Sequence, residues 1–175
     1  VASNMLSRAL REVMKARGEA SEKPLLDLVK SGNSLEKGAA IGALGVTTDP
    51  RIATSLRELA LSDKETMTGR QALSLVYGLM GNEKTADDTW EWAKANFDQF
   101  VSERVADVRK GGMPSLAGNF CSTSKRDEAK AFFESHAETI PGYERSLKQV
   151  VESIELCAAL KSNKANELRN ALASR

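Results

Sequence analysis

The sequence predicts an all-α protein, built as a curved array of antiparallel helix pairs. Apolar residues recur at intervals of three and four along most of the chain, and no segment alternates convincingly with a period of two. Short links containing Gly, Pro or small polar residues separate these stretches, so consecutive helices are expected to run antiparallel. Aromatic residues make up only 5% of the chain. Leu, Ala and Val must therefore supply the core, which favours closely packed helices.

Composition describes an ordinary globular chain. A length of 175 residues suits a single helical domain, 1–175, that can bury a sizeable core, and 41% hydrophobic with 28% charged residues is typical of soluble proteins. A formal net charge of +1, from interspersed charges, argues against a nucleic-acid binder. No apolar run reaches the roughly 20 residues that a membrane span needs.

The start of the chain indicates a fragment of a longer polypeptide. It opens with Val1 rather than Met, and helical periodicity begins within a few residues. Arg8 and Arg11 interrupt the first apolar residues, which excludes a signal peptide in this stretch. The compartment stays open, with the cytoplasm favoured.

Three helices are expected before Thr47. Residues 3–17 form the first; the second opens at Pro24, a residue suited to the first helical position, and closes at Gly32. The third begins at Ser34, and its interior glycines indicate the close approach of another helix, because glycine there costs about 1 kcal/mol relative to alanine. The two glycines are Gly38 and Gly42, and the expected inward side chains include Leu6, Leu10, Val13, Leu25, Val29 and Leu35.

Asp49 and Pro50 mark the clearest helix start in the sequence. Asp suits the N-cap and Pro the first helical position, so a helix is expected from Pro50 to about Asp63. The next helix is predicted over residues 65–80. On the side opposite its apolar stripe lie Arg70, Ser74 and Tyr77, at positions i, i+4 and i+7.

Two further helices and a break are expected in the middle of the chain. Residues 84–97 place Trp90 on one face, with Trp92 on another, and Asp98 begins a helix with an apolar stripe. A break at residues 111–114 precedes a short helix from Leu116 to Cys121. The stripe after Asp98 comprises Val101, Val105 and Val108.

The last third of the chain reads as two amphipathic helices joined at Pro141-Gly142, followed by a small terminal helix over residues 164–173. Ser122 to Ser124 suit the cap of the first helix. The second helix carries one apolar stripe and two more leucines on roughly the opposite side, which predicts burial between two neighbours. The apolar positions of these helices are Ala129, Phe132, Phe133 and His136; then Tyr143, Leu147, Val150, Val151, Ile154, Cys157 and Ala158 with Leu156 and Leu160 opposite; and finally Leu168 and Leu172.

Few residues offer reactive chemistry. Cys121 and Cys157 are far apart in sequence, and two buried free thiols are favoured over a disulfide. The single histidine, His136, lies on the stripe with Phe132 and Phe133, so a core or helix-end role is favoured over a Ser-His-Asp arrangement. A site combining His136 with both cysteines is less favoured still.

Four pieces of the chain, in order and spanning roughly residues 35–160, resemble one family. Together they resemble the C-terminal helical domain of gluzincin-type zinc aminopeptidases, including the puromycin-sensitive and endoplasmic reticulum aminopeptidases and bacterial aminopeptidase N-like enzymes. The pieces are GALGVTTDP at 42–50, the Arg70-Gln71 pair, TWEWAKANFDQF at 89–100, and AFFESH at 131–136 followed by PG and ER-S-L-Q-V-ES-I at 141–154.

The resemblance implies a HEAT- or armadillo-like α-α superhelix without chemistry of its own. The family binds zinc through an H-E-x-x-H helix and a later Glu, and a chain with one histidine cannot hold that site. No catalytic residue, metal ligand or cofactor is therefore expected in this segment, and zinc belongs to the presumed parent. The implied partners are the catalytic domain of the same polypeptide and the peptide substrate, whose chamber this domain encloses.

Within that resemblance, Arg70 is the first candidate to meet the C-terminal carboxylate of a peptide, beside Ser74 and Tyr77. The alternative is that Arg70 pairs with an acidic residue on the next helix. Arg145, His136 and Trp90 are expected to be structural, with a peptide channel lined by Trp90 and Trp92 as the alternative for the tryptophans. Two other functions remain open: a free-standing HEAT-like protein-binding scaffold, and a helical enzyme that uses His136.

Overall fold

A computed structural model describes the backbone of residues 3–173 and the side chains of residues 5–165 and 167. Within these residues the protein contains ten α-helices, one 3₁₀ helix and no strand, which confirms the all-α prediction. HEAT- or armadillo-like curvature stays a prediction. The α-helices are α1 Ser3–Arg17, α2 Glu19–Ser31, α3 Ser34–Leu44, α4 Pro50–Ser62, α5 Gly69–Met80, α6 Ala86–Ala95, α7 Phe97–Arg104, α8 Asp107–Lys110, α9 Thr123–Ser135 and α10 Glu144–Ala173, and the 3₁₀ helix is Met113–Ala117.

The chain forms two compact units, residues 1–106 and residues 107–175. The first contains α1 to α7, and the second contains α8, the 3₁₀ helix, α9 and α10. The interpretation of the chain as a single domain stays a prediction.

Helices α3 and α5 are central to the first unit. Helix α3 packs on α1, α2 and α5, and α5 packs on α4, α6 and α7. Where α3 ends against α5, a Cβ added to Gly78 would lie 2.8 Å from the Cα of Gly45. The close helix approach is therefore at Gly45 and Gly78. It is not at Gly38, which has nothing within 4 Å, and Gly42 faces the guanidinium of Arg11.

Capping side chains set the starts of α3, α4 and α5. Asn33 forms a capping box with Glu36. The predicted start at Asp49-Pro50 is confirmed, since the Asp49 carboxylate accepts a hydrogen bond of 2.8 Å from the backbone N–H of Arg51. Helix α5 begins at Gly69, later than predicted, because the loop before it has hydrogen bonds of its own. In that loop the Asp63 carboxylate accepts from the backbone N–H groups of Glu65 and Thr66.

The predicted start of α2 at Pro24 was wrong. The helix begins at Glu19, directly after Gly18, whose φ of 52° lies in the left-handed region that glycine adopts most readily. This turn ends α1 and begins α2, so Pro24 falls inside the helix. A proline at this position removes one backbone hydrogen bond, and the helix nevertheless continues to Ser31.

Some side chains that were predicted to face inward are exposed. Met14 is buried on α1, whereas Val13 is exposed. Leu35 is exposed at the start of α3. Val108 is 93% exposed because α7 ends at Arg104 and only the four-residue α8 follows. The apolar stripe predicted after Asp98 thus ends at Val105.

The second unit packs the 3₁₀ helix, α9 and α10 around apolar side chains from each. The break at residues 111–114 is confirmed in part, but the short helix is Met113–Ala117 rather than Leu116 to Cys121. Gly111 approaches the backbone of Gly142, where an added Cβ would lie 2.8 Å from the carbonyl oxygen. The buried residues among those described are Met113, Pro114, Leu116, Ala117, Phe120, Ala129, Phe133, Ile140, Leu147, Val150 and Ile154.

Helix α10 is continuous over 30 residues, so the prediction of a separate helix over residues 164–173 was wrong. No Gly or Pro interrupts it, and Ser162-Asn163 alone does not break a helix. Leu156 is 73% and Leu160 61% exposed, which contradicts burial on both sides within the described residues. Two predicted inward side chains, Leu168 and Leu172, lie outside the described side chains.

The preference for free thiols was also wrong. Cys121 and Cys157 form a disulfide, with their Cα atoms 5.1 Å apart. Packing of α9 on α10 brings the segment before α9 next to the middle of α10, and sequence spacing alone does not show this juxtaposition.

Candidate functional site

The outward side of α5 carries the three predicted peptide-binding residues on one face. Arg70 and Ser74 are exposed, and Tyr77 is half-buried. The Ser74 hydroxyl donates a hydrogen bond of 2.9 Å to the backbone carbonyl of Arg70, so it is engaged within its own helix. Among the described residues, the Arg70 guanidinium has no ion-pair or hydrogen-bond partner. Its charge is therefore available at the surface of this unit.

A tight junction fixes the end of α5 from which Arg70 projects. Thr68 and Gln71 form a capping box, in which the backbone N–H of Thr68 donates to the Gln71 side chain at 2.9 Å. A Cβ added to Gly69 would overlap the carbonyl oxygen of Arg104, at the end of α7. Only glycine allows this approach, so the start of α5 is held against α7.

Arg104 is the positioning residue that sequence reasoning missed. It is only 6% exposed, and its Nη2 donates to the carbonyls of Asp63 at 2.7 Å and Met67 at 2.8 Å. Burial lowers the pKa of Arg104, and the carboxylates of Asp63 and Glu103 oppose that shift. The side chain thus ties the loop between α4 and α5 to α7. A signal was present, because helical spacing places Arg104 beside Phe100 and Val101 on the buried face.

Asp63 stabilises the same loop from the other side. Burial raises the pKa of its carboxyl, but hydrogen bonds from the Thr66 hydroxyl and from the backbone of Thr66 and Glu65 outweigh that effect, and the net pKa is lowered. Lys64 and Glu103 add an ion pair of 2.6 Å between the loop and α7. The loop before Arg70 is consequently held both by its own hydrogen bonds and by its contacts with α7.

A second buried arginine lies between α4 and α6. Arg57 donates to the hydroxyls of Thr89 at 3.2 Å and Thr54 at 2.8 Å, and burial lowers the pKa of its guanidinium. The Nε atoms of Arg57 and Arg104 are buried without a partner in the described part of the chain. Both arginines donate hydrogen bonds to neutral oxygens, and in this way they link neighbouring elements of the fold.

The tryptophans of α6 differ in environment. Trp90 is completely buried, in the position of a core side chain. Trp92 is partly exposed, and its indole N–H donates to the Glu58 carboxylate at 3.2 Å. Trp90 consequently lines no surface of its unit, and its structural assignment stays a prediction.

His136 and Arg145 lie in the second unit, whereas Arg70, Ser74 and Tyr77 lie in the first. His136 caps the end of α9, with its Nδ1 2.8 Å from the carbonyl of Phe132. A carbonyl only accepts hydrogen bonds, so this contact requires Nδ1 to donate, and the Ser135 hydroxyl lies 3.1 Å from the same nitrogen. The Ser135 hydroxyl itself donates to the same carbonyl at 2.7 Å. Arg145 is exposed and has no ion-pair partner among the described residues.

The donor set does not fit a catalytic zinc. The sequence contains one histidine, and within the described residues no group of three or more His, Cys, Asp or Glu side chains could hold a metal ion. Across the described part of the chain, no helix is both long and apolar enough to cross a membrane.

A groove of about 290 Å³ lies between α9 and the start of α10, and no predicted site residue lines it. The groove is lined by Lys130, Glu134, Tyr143, Glu144, Leu147, Lys148 and Val151.

Over the described residues the chain is all-helical, with Arg70 exposed on an outward helix face whose backbone is held by a capping box and a glycine contact. The family model described as the ERAP1-like C-terminal domain matches residues 1–156, so the chain belongs to the ERAP1-like C-terminal domain family. This confirms the family resemblance seen in the sequence.

Two curated aminopeptidases are similar to the chain. Aminopeptidase 2, mitochondrial, of Saccharomyces cerevisiae is 26% identical over 121 residues, which cover 68% of this chain and 12% of that protein. Aminopeptidase M1-C of Oryza sativa subsp. japonica is 28% identical over 127 residues, which cover 71% of this chain and 14% of that protein. The matched region is thus a small part of each relative.

Proposed function

We propose that this chain is the non-catalytic C-terminal domain of a zinc metallo-aminopeptidase, where it encloses the active-site chamber and helps to bind peptide substrate. Membership of the ERAP1-like C-terminal domain family carries the proposal, and two similar proteins named as aminopeptidases support it. Zinc and the catalytic residues belong to the catalytic domain of the same polypeptide. The helical domain contributes shape and charge, and it limits access of water and of folded or long substrates to that centre.

The outward face of α5 is proposed to meet the peptide. A guanidinium matches a carboxylate in charge and in hydrogen-bond geometry, and Arg70 has no competing acidic partner in the described structure. The capping box and the Gly69–Arg104 junction fix the backbone from which it projects. A fixed backbone lowers the entropy cost of placing the charge against a substrate. Arg70 would bind the C-terminal carboxylate, with Tyr77 and Ser74 beside it.

Paired substrates test this role in the full-length enzyme. Peptides of one sequence, with either a free or an amidated C-terminus, are compared for wild type, Arg70→Ala and Arg145→Ala. A hydrogen-bonded charge is worth about 1.5–3 kcal/mol, so Arg70→Ala should raise KM for the free carboxylate at least about tenfold. The amidated peptide and a short aminoacyl-4-nitroanilide should change little.

Arg145 is the matched control, because it is also an exposed arginine without an ion-pair partner in the described structure but lies in the other unit. Its replacement should leave both KM values near wild type. Equal losses on the free and amidated peptides for Arg70→Ala would show that the arginine does not read the carboxylate.

The complete coding region tests the proposal for the parent enzyme against a free-standing scaffold. A G-x-M-E-N stretch and an H-E-x-x-H motif are expected within several hundred residues upstream of Val1. A coding region that starts at or just before Val1 would favour the scaffold instead.

A further inference from the structure

The Cys121–Cys157 disulfide joins two segments that are distant in sequence. Cys121 lies directly before Ser122, the residue that caps α9, and Cys157 lies within α10. The bond spans a sequence separation of 36 residues. Cys157 is exposed and Cys121 is partly exposed, so the bond lies at the surface of its unit.

Among the described side chains, the bond lies just beyond the last buried residue of α10. Ile154 is the last fully buried side chain among those described on this helix, and every described side chain from Ala159 onward is exposed. One ion pair, between Arg126 of α9 and Glu155, lies nearby at 3.0 Å. Exposed pairs of this kind stabilise a fold only slightly. The covalent bond is therefore the strongest connection between α10 and its surroundings at this point.

From this placement we infer that the domain matures and works in an oxidising compartment, where the Cys121–Cys157 bond fastens α10 to the start of α9. Reducing systems of the cytosol keep accessible thiols reduced, and an exposed bond has little protection from them. The peptides that the parent enzyme trims are then those of a secretory, periplasmic or extracellular space. This last clause rests on the proposed function; the state of the cysteines does not.

The oxidation needs a partner that carries a disulfide, such as a thioredoxin-like oxidoreductase or a small-molecule disulfide. The thiolate of one cysteine attacks a sulfur of that disulfide and forms a mixed disulfide, releasing the other sulfur as a thiolate. The second cysteine then displaces the oxidant's remaining sulfur and closes the Cys121–Cys157 bond. Two protons leave the cysteines, and two electrons reduce the oxidant's disulfide to a dithiol.

Thiol trapping in the native cells tests the inference. Cells that contain the full-length protein are quenched in acid and treated with a maleimide reagent, with or without prior reduction, and the peptides are analysed by mass spectrometry. Both cysteines should react only after reduction, and a linked Cys121–Cys157 peptide should be recovered. Alkylation of both cysteines without reduction would overturn the inference. The assay reports only whether the two cysteines are oxidised, so a negative result is distinguishable from a failure of the peptidase proposal.

Hydrogen exchange tests whether the bond fastens α10. In the purified full-length protein, reduction should speed amide exchange over residues 155–165 by about tenfold, with amides of α4 as the reference against global unfolding. A Cys121→Ser, Cys157→Ser double variant should match the reduced wild type and be insensitive to reductant. If that variant does not fold, a reductant titration of the wild type gives the same comparison. An unchanged rate of amide exchange on reduction would show that the bond does not fasten α10.

Discussion

Single residues hold the first unit together in ways that residue type alone does not predict. Arg104 is a charged side chain in a buried position, and it satisfies two backbone carbonyls of the loop before α5. The buried side chain positions the loop that leads to Arg70, whose exposed charge is the proposed contact with peptide. Through this loop, Arg104 therefore influences where Arg70 lies.

Replacement of Arg104 by Met should destabilise the protein. Met keeps much of the buried volume and removes a buried charge, but it leaves the carbonyls of Asp63 and Met67 without donors. Buried unpartnered groups cost about 1–3 kcal/mol, and this loss should exceed the gain from avoiding a buried charge because the carbonyls remain. Denaturant unfolding would measure the change. Arg145→Met, at an exposed site, should stay within about 0.5 kcal/mol of wild type, and equal stabilities for the two variants would contradict this assignment.

The contacts of Arg104 belong to the part of this site that the sequence does not predict. Arg70, Ser74 and Tyr77 were placed on one face of one helix by spacing alone, and the structure has them there. The loop at residues 63–68 and its tie to Arg104 were not predicted, because those contacts join residues about 40 positions apart. Periodicity shows which face of a helix is apolar, but it does not show which backbone carbonyls lie beyond that face.

At the scale of elements, local signals set most helix boundaries. Asp49-Pro50 and the cap at Ser122 start α4 and α9 as predicted, since a cap needs only residues within one turn. The continuous α10 and the Gly45–Gly78 contact were missed. Neither follows from local sequence: a weak break can be overridden within a long helix, and a glycine does not indicate which element approaches it.

The Gly45–Gly78 contact makes a sharp prediction about helix packing. Gly78→Ala should lower stability by about 1–3 kcal/mol, because its Cβ would meet the backbone of Gly45 and force α3 and α5 apart. This loss outweighs the intrinsic gain of about 1 kcal/mol for alanine in a helix.

Gly38→Ala is the matched control for that change, since Gly38 lies inside α3 with nothing within 4 Å of an added Cβ. It should raise stability by up to about 1 kcal/mol. Denaturant unfolding of both variants gives the comparison. Two changes of the same sign would mean that the helices do not meet as closely as described.

At the scale of the whole molecule, the chain combines an ordered helical surface with little reactive chemistry. The contacts that hold the helices in place include two capping boxes, two buried arginines, the Gly45–Gly78 contact and the disulfide. The disulfide was not predicted because its partners come together only after α9 packs on α10. Under the proposed function, these contacts would give shape to the chamber around an active site in another part of the polypeptide.

The isolated chain should therefore hydrolyse no aminoacyl-4-nitroanilide, with or without added zinc. Hydrolysis of this kind by the family's mechanism needs two histidines one helical turn apart to hold the metal, and His136 is the only histidine in the sequence. Release of nitroaniline by the purified chain would be compared with that of a His136→Ala variant from the same preparation. Both should remain at background, whereas zinc-dependent release that disappears in His136→Ala would establish a metal site on this chain and end its assignment as a non-catalytic domain.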